Sequence, residues 1–327
     1  MISVLKRIPP ENMIKILDLK TEKEYILSPN DRLSCAIGNF DGVHIGHQKL
    51  LSVAAEKSGE MTKSAVFTFA VPTSHIKNGA TLLLSPEDRY PIFRSLGIEL
   101  LILADFEEIS ALSPESFAED ILFRCCQVRH AVCGFNFRYG KNAKGTAQSL
   151  KKSFESMGGN ATVCPPYRFQ GQTVSSSEIR EALAVGNPER ALAMMGRPYT
   201  LCAEVIHGKM LGRTLGFPTA NQSFPKGRTV PKFGVYAVRV LVDGAVYYGV
   251  ANVGVRPTVE KTVSSNCETF IFDYQGNLYG KSVTTEFYQF LRPEQHFSDV
   301  QALMSAVKLD IQRAALYFQA EKEIQPL

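Results

Sequence analysis

The sequence predicts two domains: an α/β parallel sheet flanked by helices, then a small all-β barrel or sandwich with one C-terminal amphipathic helix. Three observations carry this. Strand-like and helix-like segments alternate from residue 34 to about 165, the pattern of βαβ units. Gly186-Asn187-Pro188 then breaks the chain, which sets domain bounds at 1–186 and 187–327. Beyond Tyr199 come short strands with glycine-bearing turns, until residues 298–320, where Val300, Leu303, Met304, Val307 and Ile311 share one helical face.

Ser34 to Ile37 reads as a buried strand that stops at Gly38. Helical spacing begins at Gly46, with Leu50, Leu51, Val53 and Ala54 on one face, so Asn39 to Gly46 is a strand-to-helix turn. In a parallel sheet that turn lies at the carboxyl end of a strand, where ligands bind. Its free N–H groups and positive dipole end attract phosphate. His44 and His47 flank Gly46 there as possible donors to phosphate oxygens, and Gly42 and Gly46 allow close backbone approach. The plain alternative is a tight turn carrying two surface histidines.

Ser64–Phe69 is a second strand, and Ser85-Pro86-Glu87 opens a helix that ends at Gly97. Leu100–Ala104 is a third strand, followed by a helix start at Ser113-Pro114-Glu115. Ala131–Cys133 is a fourth strand. Residues 146–157 read as a helix closed by Gly158-Gly159, and Ala161–Cys164 as a fifth strand. The loop 134–145 carries glycines, Lys141 and Lys144, which suit an anion or a plain surface loop equally. In residues 174–183, Ser175, Ser176 and Ser177 precede a helix as caps or as phosphate ligands. Arg180 is expected in that helix's first turn, where it opposes the dipole unless an anion is bound.

In the second half, Glu189–Met195 is a short helix, and residues 200–207 and 234–242 are strands. Asp243-Gly244 marks a hairpin into Val246–Val250, and Cys267–Asp273 with Val283–Phe290 reads as a second hairpin. Gly212 and Gly216 bracket a turn holding the cation Arg213. Thr219 and Asn221, two residues apart, share a face if extended and would suit a hard cation such as Mg²⁺; a polar turn is the alternative. Glu268, in a strand, is either solvated or a general base facing a ligand.

Composition narrows the classes. The net charge of +4 is scattered without a basic block, so no nucleic-acid footprint is present. No apolar run nears the ~20 residues of a membrane span, and the N-terminal residues lack a signal-peptide core. The seven cysteines include no CxxC pair, which argues for buried reduced thiols and a cytoplasmic protein.

GNFDGVHIGH, GFNFRYG, SSSEIR, GRTLGFPTAN, GVYAV, GVANVGVRPT and the ETFIFD, LYGK, FLRPEQHF series occur in one order. Together they resemble the bacterial bifunctional riboflavin kinase/FAD synthetase family over nearly the whole chain. The resemblance implies a Rossmann-like nucleotidyltransferase domain, then a six-stranded Greek-key flavokinase barrel with a C-terminal helix. It implies that riboflavin and ATP give FMN, that FMN and ATP give FAD and pyrophosphate, and that both steps use Mg²⁺. It implies ATP binding by Gly38, Phe40, Gly46, Ser175, Ser176, Arg180, Gly212 and Arg213, with His44 and His47 as catalytic phosphate ligands. It further implies flavin contacts at Asn136 and Arg256, metal ligation by Thr219 and Asn221, and Glu268 as the kinase base. The partners are then small molecules, and the chain is a monomer or weak homo-oligomer. Three departures stand out: Ser177 where threonine is more usual, Tyr139 where phenylalanine is, and Ala70 to His75 in place of Phe-x-Pro-His-Pro. Because the last of these borders the flavin end, a kinase with a weak or inactive adenylyltransferase is a second reading. A flavin-binding regulator is a third, opposed by the intact chemical groups.

Overall fold

Short apolar segments buried on both faces build the first sheet. The computed structural model describes residues 15–18, 31–59, 61–71, 79–208, 212, 215–257 and 263–324. Two compact units emerge, residues 1–174 and 175–327.

In the first unit, strands β1 (Lys15–Asp18), β2 (Leu33–Ile37), β3 (Lys63–Phe69), β4 (Leu100–Ala104), β5 (Val128–Gly134) and β6 (Asn160–Cys164) form one sheet. The order is β1-β4-β3-β2-β5-β6 and every pairing is parallel. Leu33, Cys35, Ile37, Phe67 and Ile102 face one core, where Phe117, Leu122 and Phe154 cover them. Ala36, Val66, Leu101 and Val132 face the other, under helices α1 (Ile45–Glu56) and α2 (Arg89–Ser95), which contribute Leu51, Ala54 and Phe93. Strand order reverses at β2: the chain steps outward to β3 and β4, then returns to β5 on the other side. Ligands of such sheets bind outside the carboxyl ends at that reversal.

Four local features differ from expectation. Edge strand β1 was not expected, because four residues near a Pro-Pro pair are too few to show a period. Helix α2 starts at Arg89, since Ser85 Oγ accepts from Asp88 N at 3.2 Å and caps a preceding turn instead. After the Ser113 cap, only Pro114–Ser116 is α-helical, and Phe117–Cys125 widens into a π-helix. A short helix, Phe106–Ala111, lies before it, with Asp105 accepting from Glu107 N. Helix α3 (Ala147–Ser156) begins as expected, with Thr146 and Ser149 bonding reciprocally across its first turn.

The second unit opens with helices α4 (Ser176–Ala184) and α5 (Pro188–Met195). Strands β7 (Tyr199–Glu204), β8 (Thr219–Ser223), β9 (Gly234–Val242), β10 (Ala245–Pro257), β11 (Val263–Ile271) and β12 (Ser282–Pro293) follow. Their order is β7-β12-β9-β10-β11-β8, all antiparallel. The two edges meet where Ile206 N donates to Asn221 O at 2.8 Å, so the sheet curls into a barrel. Buried Gln222 helps close it, donating to Ala203 O and Val283 O and accepting from Thr285 Oγ1. The hairpin at Asp243-Gly244 joins β9 to β10 as expected. The second expected hairpin does not form: β12 passes β11 and pairs with β9 and β7. That return beside the first strand of a meander is the Greek-key connection, and a local turn signal cannot distinguish it from a hairpin. Helix α6 (Val300–Ile324) packs Ala314 and Phe318 on Val235, Ala237 and Val250.

Five cysteines are buried, in line with the expectation of buried thiols, and Cys125 and Cys202 are exposed. A hydrogen bond from Cys126 brings the Cys125 thiol down to about 6, while Cys126, the donor and itself buried, is pushed well up. Iodoacetamide at pH 7 is therefore expected to label Cys125 first, at a rate that rises through pH 6. Equal labelling of Cys35 by mass spectrometry would contradict this.

Candidate functional site

The first site forms at the carboxyl end of β2. Gly38 N donates to Phe67 O at 3.1 Å, so the chain leaves the sheet at a fixed point. Phe40 adopts φ 50 and Gly42 φ +75, which folds Asp41–Val43 into one 3-10 turn. A side chain at Gly42 would also meet Leu83 Cδ1 at 2.7 Å. His44 caps helix α1, its Nδ1 accepting from His47 N at 3.2 Å. The two imidazoles stack with centroids 3.6 Å apart and 17° between planes. A Cβ at Gly46 would lie 3.2 Å from the His44 ring, so any side chain there would crowd the stacked imidazoles. Thus the paired rings at the helix mouth are real, and the glycine makes room for one of them. Phe40 is buried, edge-on to Phe93 and His47, so its ring belongs to the core and does not face the turn's outer side.

Sequence reasoning missed Arg89. It is fully buried, and its Nη1 donates to Asn39 O at 3.0 Å while Nη2 donates to Phe69 O and Ala70 O at 3.1 and 2.9 Å. Burial lowers its pKa, and the nearby Tyr90 and Asp41 oppose that. The side chain ties the ends of β2 and β3 together. An arginine in a helix near a cap gives no sequence signal for this. Pro72 to His75 of the unusual loop lie outside the described residues.

On the other side of the reversal, β5 leads into the 134–145 loop, which is a tight ribbon pairing Arg138–Tyr139 with Gly145–Thr146. Asn136, Lys141 and Lys144 are exposed on it. Tyr139 is buried and stacks on Phe137, and its hydroxyl meets Ser149 Oγ at 3.1 Å, so the extra oxygen has a local partner.

Ser175, Ser176 and Arg180 belong by compactness to the second unit. Ser175 caps helix α4, accepting from Glu178 N at 3.3 Å. Arg180 is the fifth residue of that helix and so begins its second turn, not its first as expected.

The second site lies in the barrel. Thr219 and Asn221 do share a face of β8, with Asn221 Nδ2 3.5 Å from Thr219 Oγ1. Glu268 on β11 is directly opposite Asn221 in the register and opposite Asn252 on its other side. A cavity of about 340 Å³ brings together Gly212, Thr219, Asn252, Glu268 and Arg292 under Leu303 and Met304 of helix α6. A second cavity, about 600 Å³, adjoins it past Thr219 and Asn221 and reaches Tyr274 and Tyr279. Arg292 donates to both oxygens of buried Asp310, which anchors helix α6 to the end of β12. The Gly212 carbonyl accepts from Leu215 and Phe217 N–H groups, the turn expected there. Arg213 and the side chain of Arg256 lie outside the described residues.

Thr219, Asn221 and Glu268 carry hard oxygen donors of the kind Mg²⁺ takes, with the Asn221 amide here turning Nδ2 to Thr219 and Oδ1 to Asn266. Among the described residues no group of three or more His, Cys, Asp or Glu could hold a metal ion. A cation at this site would therefore take its remaining ligands from phosphate and water.

Known proteins resemble both halves. The riboflavin kinase family model matches residues 195–318 and the FAD synthetase family model residues 27–178. The bifunctional riboflavin kinase/FMN adenylyltransferase of Bacillus subtilis is 38% identical over 291 residues, covering 86% of this chain and 92% of that protein. The chain belongs to this family. The riboflavin kinase/FMN adenylyltransferase of Escherichia coli K12 is 31% identical over 299 residues, 89% of this chain and 94% of its own. A crystal structure named macrolide-efflux protein, from Streptococcus pneumoniae, aligns with a TM-score of 0.80 and 30% identity, covering 91% of this chain and 97% of that one. Among the described residues here, no helix is long and apolar enough to cross a membrane. Within the riboflavin kinase/FMN adenylyltransferase framework, the FAD synthetase match holds the histidine turn and the sheet from β2 to β6. The riboflavin kinase match holds the entire barrel. Residues 179–194, including Arg180, fall in neither match.

Proposed function

We propose that this chain phosphorylates riboflavin to FMN in the barrel and adenylylates FMN to FAD, releasing pyrophosphate, at the parallel sheet. One observation carries the reading: two chemically different sets of groups lie in two separate compact units. An imidazole pair sits at a helix mouth in the first, and a carboxylate faces Thr219 and Asn221 in the second.

The two reactions need those different sets. In adenylyl transfer the attacking FMN phosphate has a second pKa of about 6, so it is already a nucleophile and needs no base. The task is to stabilise charge at the α-phosphorus and on the leaving pyrophosphate. His44, His47 and the N–H groups at the α1 mouth suit it, and Gly38, Gly46, Ser175, Ser176 and Arg180 are assigned to the same nucleotide. In the kinase step the attacker is a ribityl hydroxyl, with a pKa near water's ~15.7. A base there is generally worth ~10²–10⁴-fold. Glu268 is assigned that proton, because its carboxylate lines the cavity. Thr219 and Asn221 would hold Mg²⁺, which supplies charge neutralisation at the transferring phosphoryl group. Asn136 and Arg256 are assigned to the flavin, Gly212 and Arg213 to the kinase nucleotide. The enzyme acts on small molecules in the cytoplasm, as a monomer or weak homo-oligomer without a nucleic-acid partner. Incubation with riboflavin, ATP and Mg²⁺ tests the reading: FMN accumulates first and FAD follows. FMN alone would favour the kinase-only alternative.

We place the functional boundary at 186/187. A fragment of residues 187–327 is expected to fold and phosphorylate riboflavin. One starting at residue 175 is expected to melt higher, because helix α4 buries Ile179, Ala182 and Leu183 and Asn187 N donates to Ala182 O. A 187–327 fragment with no cooperative transition by circular dichroism would count against the boundary.

The segment Ala70 to His75 is assigned to the flavin end. Rebuilding it as Phe-x-Pro-His-Pro is expected to lower KM for FMN more than it changes kcat or the KM for ATP. A change confined to the ATP constant would put the loop at the other end of the site.

A further inference from the structure

Asn266 lies two residues before Glu268 on β11 and points to the same face of the strand. It is buried, only 4% exposed. Its Nδ2 donates twice, to Asn221 Oδ1 at 3.1 Å and to Glu268 Oε1 at 3.2 Å. Its Oδ1 is buried and has no hydrogen-bond partner among the described residues. A buried acceptor left unpaired is costly, and an apolar side chain of similar size would remove that cost. Keeping an amide here therefore needs a reason at its other end.

We infer that Asn266 is a positioning residue for phosphoryl transfer, its single amide nitrogen fixing the Glu268 carboxylate and the Asn221 amide together. The inference rests on the proposed roles of Glu268 and Asn221. The polarity follows in one direction. A carboxylate only accepts, so Asn266 must turn its NH₂ group towards Glu268. The second N–H of that group then calls for an oxygen, which holds Asn221 with Oδ1 towards Asn266 and Nδ2 towards Thr219. Glu268 keeps one oxygen tethered, and its Oε2 has no partner among the described residues. Across the β8–β11 pair, the base and the nucleotide-side amide are thus set in one geometry before substrate arrives.

The test uses the full chain with Asn266→Leu, Asn266→Asp and Glu268→Gln. Asn266→Leu removes both the donor and the orphan acceptor. Asn266→Asp keeps the shape but presents oxygen to two acceptors. Both are expected to lower kinase kcat by about 10–100-fold, as for other groups that orient a site's direct ligands. The KM for riboflavin should stay within about threefold, because the interaction is not a substrate contact. FMN adenylylation, measured on the same preparation, should be unchanged. A lower melting temperature with wild-type kcat in either variant would show a packing role and overturn the inference. If Asn266→Leu does not fold, Asn266→Asp decides alone. Wild-type turnover in Glu268→Gln would remove the base assignment and the bridge with it. Loss in Glu268→Gln beside wild-type rates in both Asn266 variants would overturn the bridge only.

Discussion

Glu268→Gln is expected to lower riboflavin phosphorylation by about 10²–10⁴-fold while riboflavin still binds. The ribityl hydroxyl must lose its proton as it attacks, and among the cavity groups named above Glu268 is the acceptor opposite Asn221. Glutamine keeps the length and can still bond Asn266, since its Oε1 accepts as the carboxylate does. What it loses is basicity, so kcat should fall with little change in the riboflavin binding constant. Quenching of flavin fluorescence measures binding, and chromatography measures FMN. A variant that turns over at the wild-type rate would leave Glu268 as a strand residue and nothing more.

His47→Ala is expected to lower FAD formation by about 10²–10³-fold, the usual cost of removing one preorganised donor from a transition-state site. The variant also leaves His44 without its stacking partner 3.6 Å away, although His44 Nδ1 still caps the helix through the backbone at residue 47. The fold should therefore survive. Riboflavin phosphorylation should stay within a few-fold, because Glu268, Thr219 and Asn221 belong to the other compact unit. Equal loss of both activities would mean that the sites are not separate.

Much of this architecture was legible in the residues, for identifiable reasons. Strand β4 and strand β9 match their expected ranges because each is an apolar run bounded by turns or glycine. The turn from β2 to α1 was legible because Gly42 and Gly46 occupy positions where side chains would collide or strain the backbone. The pairing of Thr219 with Asn221 followed from the two-residue repeat of a strand. Strand partners were harder. Nothing local to Cys267–Asp273 says that β12 will pass it and join β9, because that choice depends on closing the barrel. Asn266, Arg89 and Asp310 were missed for a related reason. Each acts through a partner distant in sequence: Asn221, Asn39 and Arg292 respectively. Their own stretches, EDRYP, SSNCE and KLDIQ, already hold other polar residues, so nothing local singles them out and only the fold names their partners.

We propose that one chain carries two separate sites, the FMN released by one serving the other. Mixing the His47→Ala and Glu268→Gln proteins with riboflavin, ATP and Mg²⁺ tests it most directly. Alone, His47→Ala should stop at FMN, and Glu268→Gln should leave riboflavin unchanged. Together they should make FAD, the first supplying FMN to the second. A mixture that yields no FAD, although Glu268→Gln adenylylates added FMN and His47→Ala makes FMN, would contradict the account.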